Sequence, residues 1–137
     1  MNHFIKNTAF SILSVLISIY FSNAQQISEF RPENRTGVSS ETGLMKSWPA
    51  DGPKLLWSNL DLPKGYSSPS FGNNVMYLTG IKETDDILVA LDMNGKILWQ
   101  KVMGRAWNQS FPDSRATPTV EDNKVYTSSG IGDLACF

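Results

Sequence analysis

Short runs of apolar residues, separated by polar turn residues, fill the chain from residue 54 onward. The run at residues 88–91 is apolar throughout, as expected of a strand that is covered on both faces. Asn-Asn and Asn-Gly dipeptides, which favour tight hairpin turns, fall between neighbouring runs. Apolar positions at helical spacing are absent beyond residue 25, so the pattern predicts an all-β fold with almost no helix. We predict strands at residues 66–71, 75–81, 87–92 and 96–102, with a tight turn at 72–74 and a charged loop at 82–86.

This pattern occurs twice along the chain. Residues 68–77 recur as residues 117–126, displaced by 49 positions, and residues 88–91 recur as residues 134–137. Self-similarity at a period of roughly 40 to 50 residues, in units of several short strands, is typical of propeller blades. We therefore predict a partial β-propeller, with a first four-stranded antiparallel blade at about 66–102 and a partial second blade at about 115–137. The second blade is predicted to have strands at 117–121, 124–129 and 133–137 and to lack its fourth strand.

Two blades cannot cover all of their own faces, because each blade of a propeller is covered by the blades beside it. We expect the uncovered faces to meet missing propeller blades or to cause self-association through open sheet edges. The second unit stops inside a strand, so we expect the chain to be a truncated piece of a larger ring. Residues 54–58 are similar to residues 96–100 and are predicted to be an N-terminal closing strand that completes the final blade of that ring. Residues 25–53 are predicted to form an irregular arm with a few apolar anchor points.

The first 24 residues have the three parts of a secretory signal peptide. Lys6 supplies a positive charge, residues 9–21 are apolar or hydroxyl-bearing, and a small residue, Ala24, precedes two glutamines. Cleavage after Ala24 is expected. The alternative is a membrane anchor, but the apolar run is short against the roughly 20 residues that cross a bilayer. We expect a periplasmic or secreted mature chain without a stable membrane span.

Composition excludes some classes of function. The chain has 12 basic and 13 acidic residues and no basic stripe, so a nucleic-acid partner is not expected. The only histidine is His3, inside the predicted leader, which removes Ser-His and Cys-His catalysis from the mature chain. Cys136 is the only cysteine, so no intramolecular disulfide can form. Because Cys136 aligns with Ala90 in the repeat, we predict a small buried core residue there and not a reactive thiol.

Four residues of the first unit form a structural motif at residues 90–99. Asp92 can accept hydrogen bonds from backbone N–H groups of the following turn, and Gly95 can adopt the positive φ that the turn requires. Trp99 is predicted to lie flat against a small residue of the neighbouring blade, at a position equivalent to Ala90. These residues are therefore predicted to hold blades together.

The string Ala90-Leu-Asp-Met-Asn-Gly-Lys-Ile-Leu-Trp99, together with Ser68-Pro69 and Val75-Met-Tyr77, resembles the repeat of quinoprotein-type propellers, the family named for pyrroloquinoline quinone (PQQ). The resemblance covers about residues 54–137. It departs in one place, since the familiar form has Asp-x-x-Thr-Gly and this chain has a shorter turn without the threonine. Residues 104–118 and 31–39 also look like exported bacterial PQQ-repeat proteins, some of them polyvinyl-alcohol dehydrogenase-like.

The resemblance implies two functions, because such repeats occur in enzymes that bind PQQ and in propellers without a cofactor, including assembly factors for outer-membrane proteins. The first is an exported non-catalytic binding or scaffold module, and we predict no cofactor for it. The alternative is the N-terminal part of a PQQ-dependent alcohol dehydrogenase, which would use PQQ with calcium in the intact protein. Adding PQQ and calcium and following quinone absorbance and dye-linked alcohol oxidation distinguishes the two.

No catalytic, cofactor-binding or metal-ligating residue is predicted within this chain. Asp85 and Asp86 are predicted to be solvated in a loop between strands, and Asp133 is predicted to satisfy turn amides.

A ligand-binding surface is predicted at one rim of the propeller, where loops enter the blade strands. Its aromatic rings can stack on a protein or glycan ligand, and its guanidinium groups can bind it. The alternative interpretation is structural: Trp107 fills the gap between blades and Arg115 donates hydrogen bonds to loop carbonyls. The candidate residues are Tyr66, Arg105, Trp107 and Arg115.

Overall fold

The computed structural model describes residues 27–31, 35–38 and 41–137. The predicted signal peptide lies outside these residues. All regular structure in them is β, which confirms the all-β prediction, and none of them belongs to a helix with the length and apolar character of a membrane span. The strands are β1 (Ile27–Ser28), β2 (Ser70–Gly72), β3 (Val75–Lys82), β4 (Asp85–Asp92), β5 (Ile97–Arg105), β6 (Thr119–Glu121), β7 (Lys124–Ser128) and β8 (Leu134–Cys136).

The first sheet has the order β2-β3-β4-β5, and every pair is antiparallel. Asn73 and Asn74 form the first turn, and both have a positive φ, as a type I′ hairpin turn requires. The second turn contains only Glu83 and Thr84, so β4 begins two residues earlier than predicted. Four strands are therefore found in the predicted order, but the first is only Ser70–Gly72 where 66–71 is predicted, and the predicted charged loop at 82–86 is mostly strand.

The second sheet has the order β1-β6-β7-β8 and is also antiparallel. Its three strands from the second repeat unit are found where the sequence predicts them. A short strand of the arm that is predicted to be irregular joins the other edge, where Ile27 and Ser28 pair with Glu121 and Val120 of β6. No described strand is equivalent to β5, so β8 is an edge strand.

The predicted closing strand at residues 54–58 is wrong. These residues form no strand and lie over the turn between β4 and β5. The indole N–H of Trp57 donates to the carbonyl of Met93 (3.1 Å), and the Asn59 amide donates to the carbonyl of Gly95 (2.6 Å). Side-chain hydrogen bonds therefore hold this segment, and its backbone pairs with no strand edge. The predicted anchor points of the arm are also exposed, at Phe30, Val38, Leu44, Met45 and Trp48.

Strand β4 is buried on both of its faces. Ile87, Val89 and Leu91 pack on one side with Leu62 of the preceding segment. Leu88 points to the opposite side and packs against the second sheet. We call the side that bears Leu88 the front face of the first sheet, and the opposite side its back face. The apolar run at 88–91 is thus explained by cover on both sides.

The two sheets pack front to back. Val120 and Val125 of the second sheet form one cluster with Leu88 of the first. In the repeat alignment, Val125 is equivalent to Met76, which belongs to the cluster on the back face of the first sheet. The second sheet therefore presents its back face to the front face of the first. A front-to-back arrangement leaves the next front face free to repeat the same contact.

Equivalent residues of the two units lie side by side. The backbone N–H of Ser68 donates to the hydroxyl of Thr117 (3.2 Å), and these residues are 49 positions apart. The Asn73 amide donates to the carbonyl of Asp122 (3.1 Å), which is again 49 positions away. The second unit thus lies beside the first, with residues 49 positions apart in contact.

The front face of the second sheet is exposed. Leu134 and Cys136 are equivalent to Leu88 and Ala90, which are fully buried in the first sheet. Leu134 is 88% exposed, and Cys136 is also exposed. The prediction that Cys136 is a buried core residue is wrong for this chain, because no described element covers the face on which it lies.

The motif at residues 90–99 largely adopts its predicted roles. The Asp92 carboxylate accepts hydrogen bonds from the backbone N–H groups of Asn94 and Lys96, both at 2.9 Å, and Gly95 has a φ of 81°. Gly95 alone of the turn has a positive φ, and a register shift follows in β4–β5 pairing, so the hairpin contains a bulge and not a two-residue turn.

The aromatic residue of the motif, Trp99, packs against the cluster between the sheets, where its ring contacts are with two other aromatic residues. The ring centroid of Trp99 is 6.0 Å from that of Tyr77 and 6.2 Å from that of Phe137, and both pairs are tilted. Tilted ring pairs at this distance are favourable because ring edges and faces carry opposite partial charge.

Replacing Asp92 by alanine tests the turn motif. Asp92→Ala removes two charge-assisted hydrogen bonds to backbone N–H groups, and we expect the free energy of unfolding to fall by about 1–2 kcal/mol. Asp92→Asn keeps one acceptor oxygen and should lose less. Urea unfolding of the mature chain followed by tryptophan fluorescence measures both losses. Equal stability of Asp92→Ala and the parent chain would show that the carboxylate does not support the turn.

Candidate functional site

A cleft of about 390 Å3 lies where the loop after β5 meets the loop after β7. We call it the rim cleft. Its walls come from the two repeat units, so it exists only because the two sheets pack together. The side chains that matter for its chemistry are Trp107, Asp113, Arg115, Ser128 and Ser129.

Both ends of the first loop are fixed to the first sheet. At its start, the backbone N–H of Ala106 donates to the carbonyl of Thr84 (2.9 Å). At its end, Ser114 is buried, and its hydroxyl donates to the hydroxyl of Thr79 (2.9 Å). The backbone N–H of Tyr66 donates to the carbonyl of Ser114 (2.8 Å), which adds residues 64–66 to the same rim. These contacts place the predicted binding residues on a rigid support.

Side chains of the loop hold its backbone in an uncommon conformation. Phe111 and Asp113 have positive φ values of 47° and 82°, which non-glycine residues adopt only when the surroundings hold them there. The Trp107 indole N–H donates to the carbonyl of Ser110 (2.8 Å), and the Arg115 guanidinium donates to the carbonyls of Phe111 and Asp113. The loop is thus ordered by its own largest side chains.

Arg115 is stacked on an aromatic ring. Its guanidinium carbon lies 5.4 Å from the centroid of the Tyr66 ring, within the range of a cation–π interaction. Within the described part of the chain, no carboxylate forms an ion pair with Arg115. No described carboxylate therefore compensates the positive charge of this guanidinium beside the cleft.

The nearest acidic group of the cleft is already paired. Lys64 Nζ lies 2.9 Å from Asp113 Oδ2, and the hydrogen bond and charge of Asp113 raise the pKa of Lys64. Asp113 is therefore paired with Lys64, and Arg115 is the lining cation that has no ion-pair partner among the described residues.

The structure brings together three of the four predicted binding residues. Trp107 and Arg115 line the rim cleft, and Tyr66 stacks on Arg115. Arg105 ends β5, and its exposed side chain is not among the lining groups. The predicted structural role of Arg115 is confirmed, because it donates to two loop carbonyls.

Two reciprocal hydrogen bonds between the sheets, each from a backbone amide of one sheet to a carboxylate of the other, form the floor of this region. Asp86 Oδ2, from the first sheet, accepts a hydrogen bond from the backbone N–H of Gly130 (2.6 Å). Asp133 Oδ2, from the second sheet, accepts one from the backbone N–H of Arg105 (3.3 Å) and one from the hydroxyl of Ser129 (3.1 Å). Each sheet thus binds a backbone amide of the other. Asp133 is predicted to bind turn amides, but the backbone amide that its carboxylate binds belongs to β5 of the neighbouring sheet.

The prediction that Asp86 is solvated is wrong. Asp86 is 1% exposed, and its second carboxylate oxygen, Oδ1, accepts no hydrogen bond from the described residues. Because β4 begins at Asp85, strand alternation places Asp86 on the front face with Leu88, where the second sheet covers it. Its cross-strand partner is Gly104, and a Cβ there would lie 2.4 Å from Asp133 Oδ2. The glycine therefore leaves space for the loop that follows β7.

Sequence reasoning missed Asp86, Ser129 and Gly130 as parts of this region. The alternation of Asp86, Leu88 and Ala90 on one face carries a signal for the first of them. The loop residues carry no such signal, because their position depends on sheet packing. The described residues contain no group of three or more His, Cys, Asp or Glu side chains that could hold a metal ion.

Comparison with family models, curated proteins and solved structures gave no match for this chain. The function of the rim cleft is therefore inferred from its own geometry. The resemblance to the PQQ-type repeat stays a hypothesis that depends on the motif residues.

The link between Asp86 and Gly130 can be tested by two substitutions. Asp86→Ala removes the acceptor for the Gly130 amide, and we expect the free energy of unfolding to fall by about 1–2 kcal/mol. Asp86→Asn keeps an acceptor of the same shape and should lose less. Hydrogen exchange at the Gly130 amide should accelerate in Asp86→Ala only. Unchanged exchange in that variant would contradict the proposed link.

Proposed function

We propose that this chain is part of an exported PQQ-like β-propeller repeat protein and serves as a non-catalytic binding and scaffold module. In this proposal the two sheets are neighbouring blades, and the rim cleft is a ligand site between them. The observation that supports it best is the front-to-back packing of two repeat units whose equivalent residues lie side by side.

Front-to-back packing is open-ended. The contact that Leu88 makes with the back face of the second sheet is available again at Leu134, which is exposed. Repetition of one contact with the same displacement generates an array, and the array closes into a ring when the rotation between units permits it. A ring of such sheets also leaves only short, protected strand edges, which agrees with the short strands of this chain. The exposed front face is therefore proposed to receive another sheet of the same kind.

The binding role depends on where the loops lie. Loops at the end of packed sheets carry ligand sites because the sheets hold them rigidly while their sequences vary. Here the loop after β5 is fixed at both ends and holds an arginine and a tryptophan beside a cleft.

Export of the protein can be tested at its N-terminus. If residues 1–24 are a cleaved leader, mass spectrometry of the exported protein should show a chain that begins at Gln25. Ala24→Asp replaces the small residue before the cleavage point and should retain the leader. An exported chain that keeps residues 1–24 would contradict cleavage at this point.

The exposed front face can be tested by the association state of the mature chain. We expect self-association in sedimentation velocity, because Leu134 lies uncovered on a sheet face. Leu134→Asp should weaken association by about tenfold or more, since it places a charge in the contact. Leu60→Asp is the matched control, because Leu60 is also highly exposed but lies in the preceding segment and not on this face. Equal effects of the two substitutions, or a parent chain that stays monomeric, would argue against the blade proposal.

A further inference from the structure

We propose that the rim cleft binds a glycan that carries carboxylate groups, with Arg115 binding a carboxylate and Trp107 stacking on a sugar ring. This inference rests on the binding role proposed above and adds the class of ligand. Four features of the cleft support this ligand class: the unpaired Arg115 guanidinium, the fixed aromatic side chains, the Ser128 hydroxyl and the absence of a strand edge among the lining residues.

The charge of the cleft favours an anionic group. Arg115 brings a guanidinium without an ion-pair partner to the cleft, because Asp113 is paired with Lys64 and the carboxylates of Asp86 and Asp133 at the floor accept hydrogen bonds from backbone N–H groups. The hydrogen bonds that Arg115 makes within the described residues use only Nη1, which leaves the donors on Nε and Nη2 for a ligand. The planar guanidinium can bind both oxygens of a carboxylate in parallel, and its position over the Tyr66 ring restricts its movement.

The aromatic side chains favour a ring-shaped partner. Trp107 is 41% exposed and lines the cleft, and its indole is fixed by the hydrogen bond to Ser110. Phe111, on the same loop, is 81% exposed and is held at a positive φ. Fixed aromatic rings lose little conformational entropy on binding, so they are efficient contact surfaces. The C–H face of a pyranose ring is flat and apolar enough to stack on such a ring.

The remaining lining groups favour hydroxyl-bearing ligands. Ser128 adds a hydroxyl group to the cleft wall, whereas the hydroxyl of Ser129, which also lines the cleft, is already hydrogen-bonded to Asp133. A hydroxyl is both a donor and an acceptor, so it can match the hydroxyl groups of a sugar in either direction. The cleft volume of about 390 Å3 lies within the range of small-ligand sites.

Other macromolecules fit this cleft less well. A peptide in extended conformation binds most readily along a free strand edge, and the lining residues of the rim cleft belong mainly to loops. A nucleic acid needs several cations along its phosphates, whereas Arg115 is the one cation among the described lining residues. A single fixed guanidinium beside a tryptophan matches one carboxylated sugar at a time.

The test is a titration of the mature chain with oligogalacturonate, followed by isothermal calorimetry and by tryptophan fluorescence. The fully methyl-esterified oligomer serves as the neutral ligand of the same shape. The substitutions are Arg115→Gln, Arg115→Lys and Trp107→Phe. Lys101→Gln is the matched control, because Lys101 is an exposed cation of β5 that lies outside the cleft.

We expect oligogalacturonate to bind. The affinity of the esterified oligomer should be lower by about tenfold or more, because esterification removes the charge that Arg115 recognises. Arg115→Gln should lower affinity for oligogalacturonate by a similar factor, and Arg115→Lys should lose part of it because an ammonium group cannot bind both oxygens in one plane. Trp107→Phe should weaken binding of both oligomers, and Lys101→Gln should leave the affinities unchanged.

Three outcomes would overturn the inference. Equal binding of the two oligomers would remove the role of the carboxylate, and an affinity that is unchanged in Arg115→Gln would place the ligand elsewhere. Binding of an acidic peptide in place of the oligomer, with the same dependence on Arg115, would replace the glycan by a protein ligand and leave the proposed binding module intact. The blade proposal is judged separately by the association state of Leu134→Asp, so its failure is distinguishable from failure of the ligand assignment.

Discussion

The contact between the front face of one sheet and the back face of the next is the interaction on which the rest of this structure depends. Leu88 lies against Val120 and Val125, and Ala135 and Phe137 of the second unit pack against the same cluster. Burial of apolar side chains supplies most of the stabilisation of such small sheets, since each is too thin to have an interior of its own. Gly72 permits the close approach, because a Cβ there would lie 2.5 Å from a methyl group of Val120.

The same contact positions the polar groups. In the repeat alignment β7 is equivalent to β3, which runs in the same direction as β5 because both are antiparallel to β4. The loop after β5 and the loop after β7 therefore emerge at the same end of the pair, and the rim cleft lies between them. The carboxylates of Asp86 and Asp133 fix this meeting point by binding backbone amides of the opposite sheet. The apolar cluster and the hydrogen bonds of the two carboxylates thus stabilise the same interface between the sheets, and the cleft depends on both.

Local features of the structure could be predicted from the sequence with few errors. The hairpins follow from turn residues such as Asn73 and Asn74, and the hydrogen bonds of Asp92 follow from the spacing of an acid, a glycine and the strand after them. The repeat could be recognised because the same polar and apolar pattern fits the same sheet twice. Each of these depends on contacts between residues that are close in sequence, or on alternation that any strand imposes.

Predictions that depended on what covers a residue were less successful. Residues 54–58 have the apolar pattern of a strand, yet they lie over a turn because side-chain hydrogen bonds hold them there. Cys136 was assigned to a core on the basis of its alignment with Ala90, and it is exposed because the next face is open. In both cases the local sequence matches its repeat equivalent, but the residues are surrounded by different neighbours.

By itself, the sequence determined the strands, the turns between most of them, the repeat and the structural role of Asp92, because these follow from backbone conformation and local hydrogen bonds. Only the tertiary structure decided that Asp86 is buried, that Arg115 stacks on Tyr66, and that Trp107 faces a cleft while Arg105 does not. The physical reason is that alternation along a strand assigns a side chain to a face, whereas burial and binding depend on which other sheet or loop packs against that face.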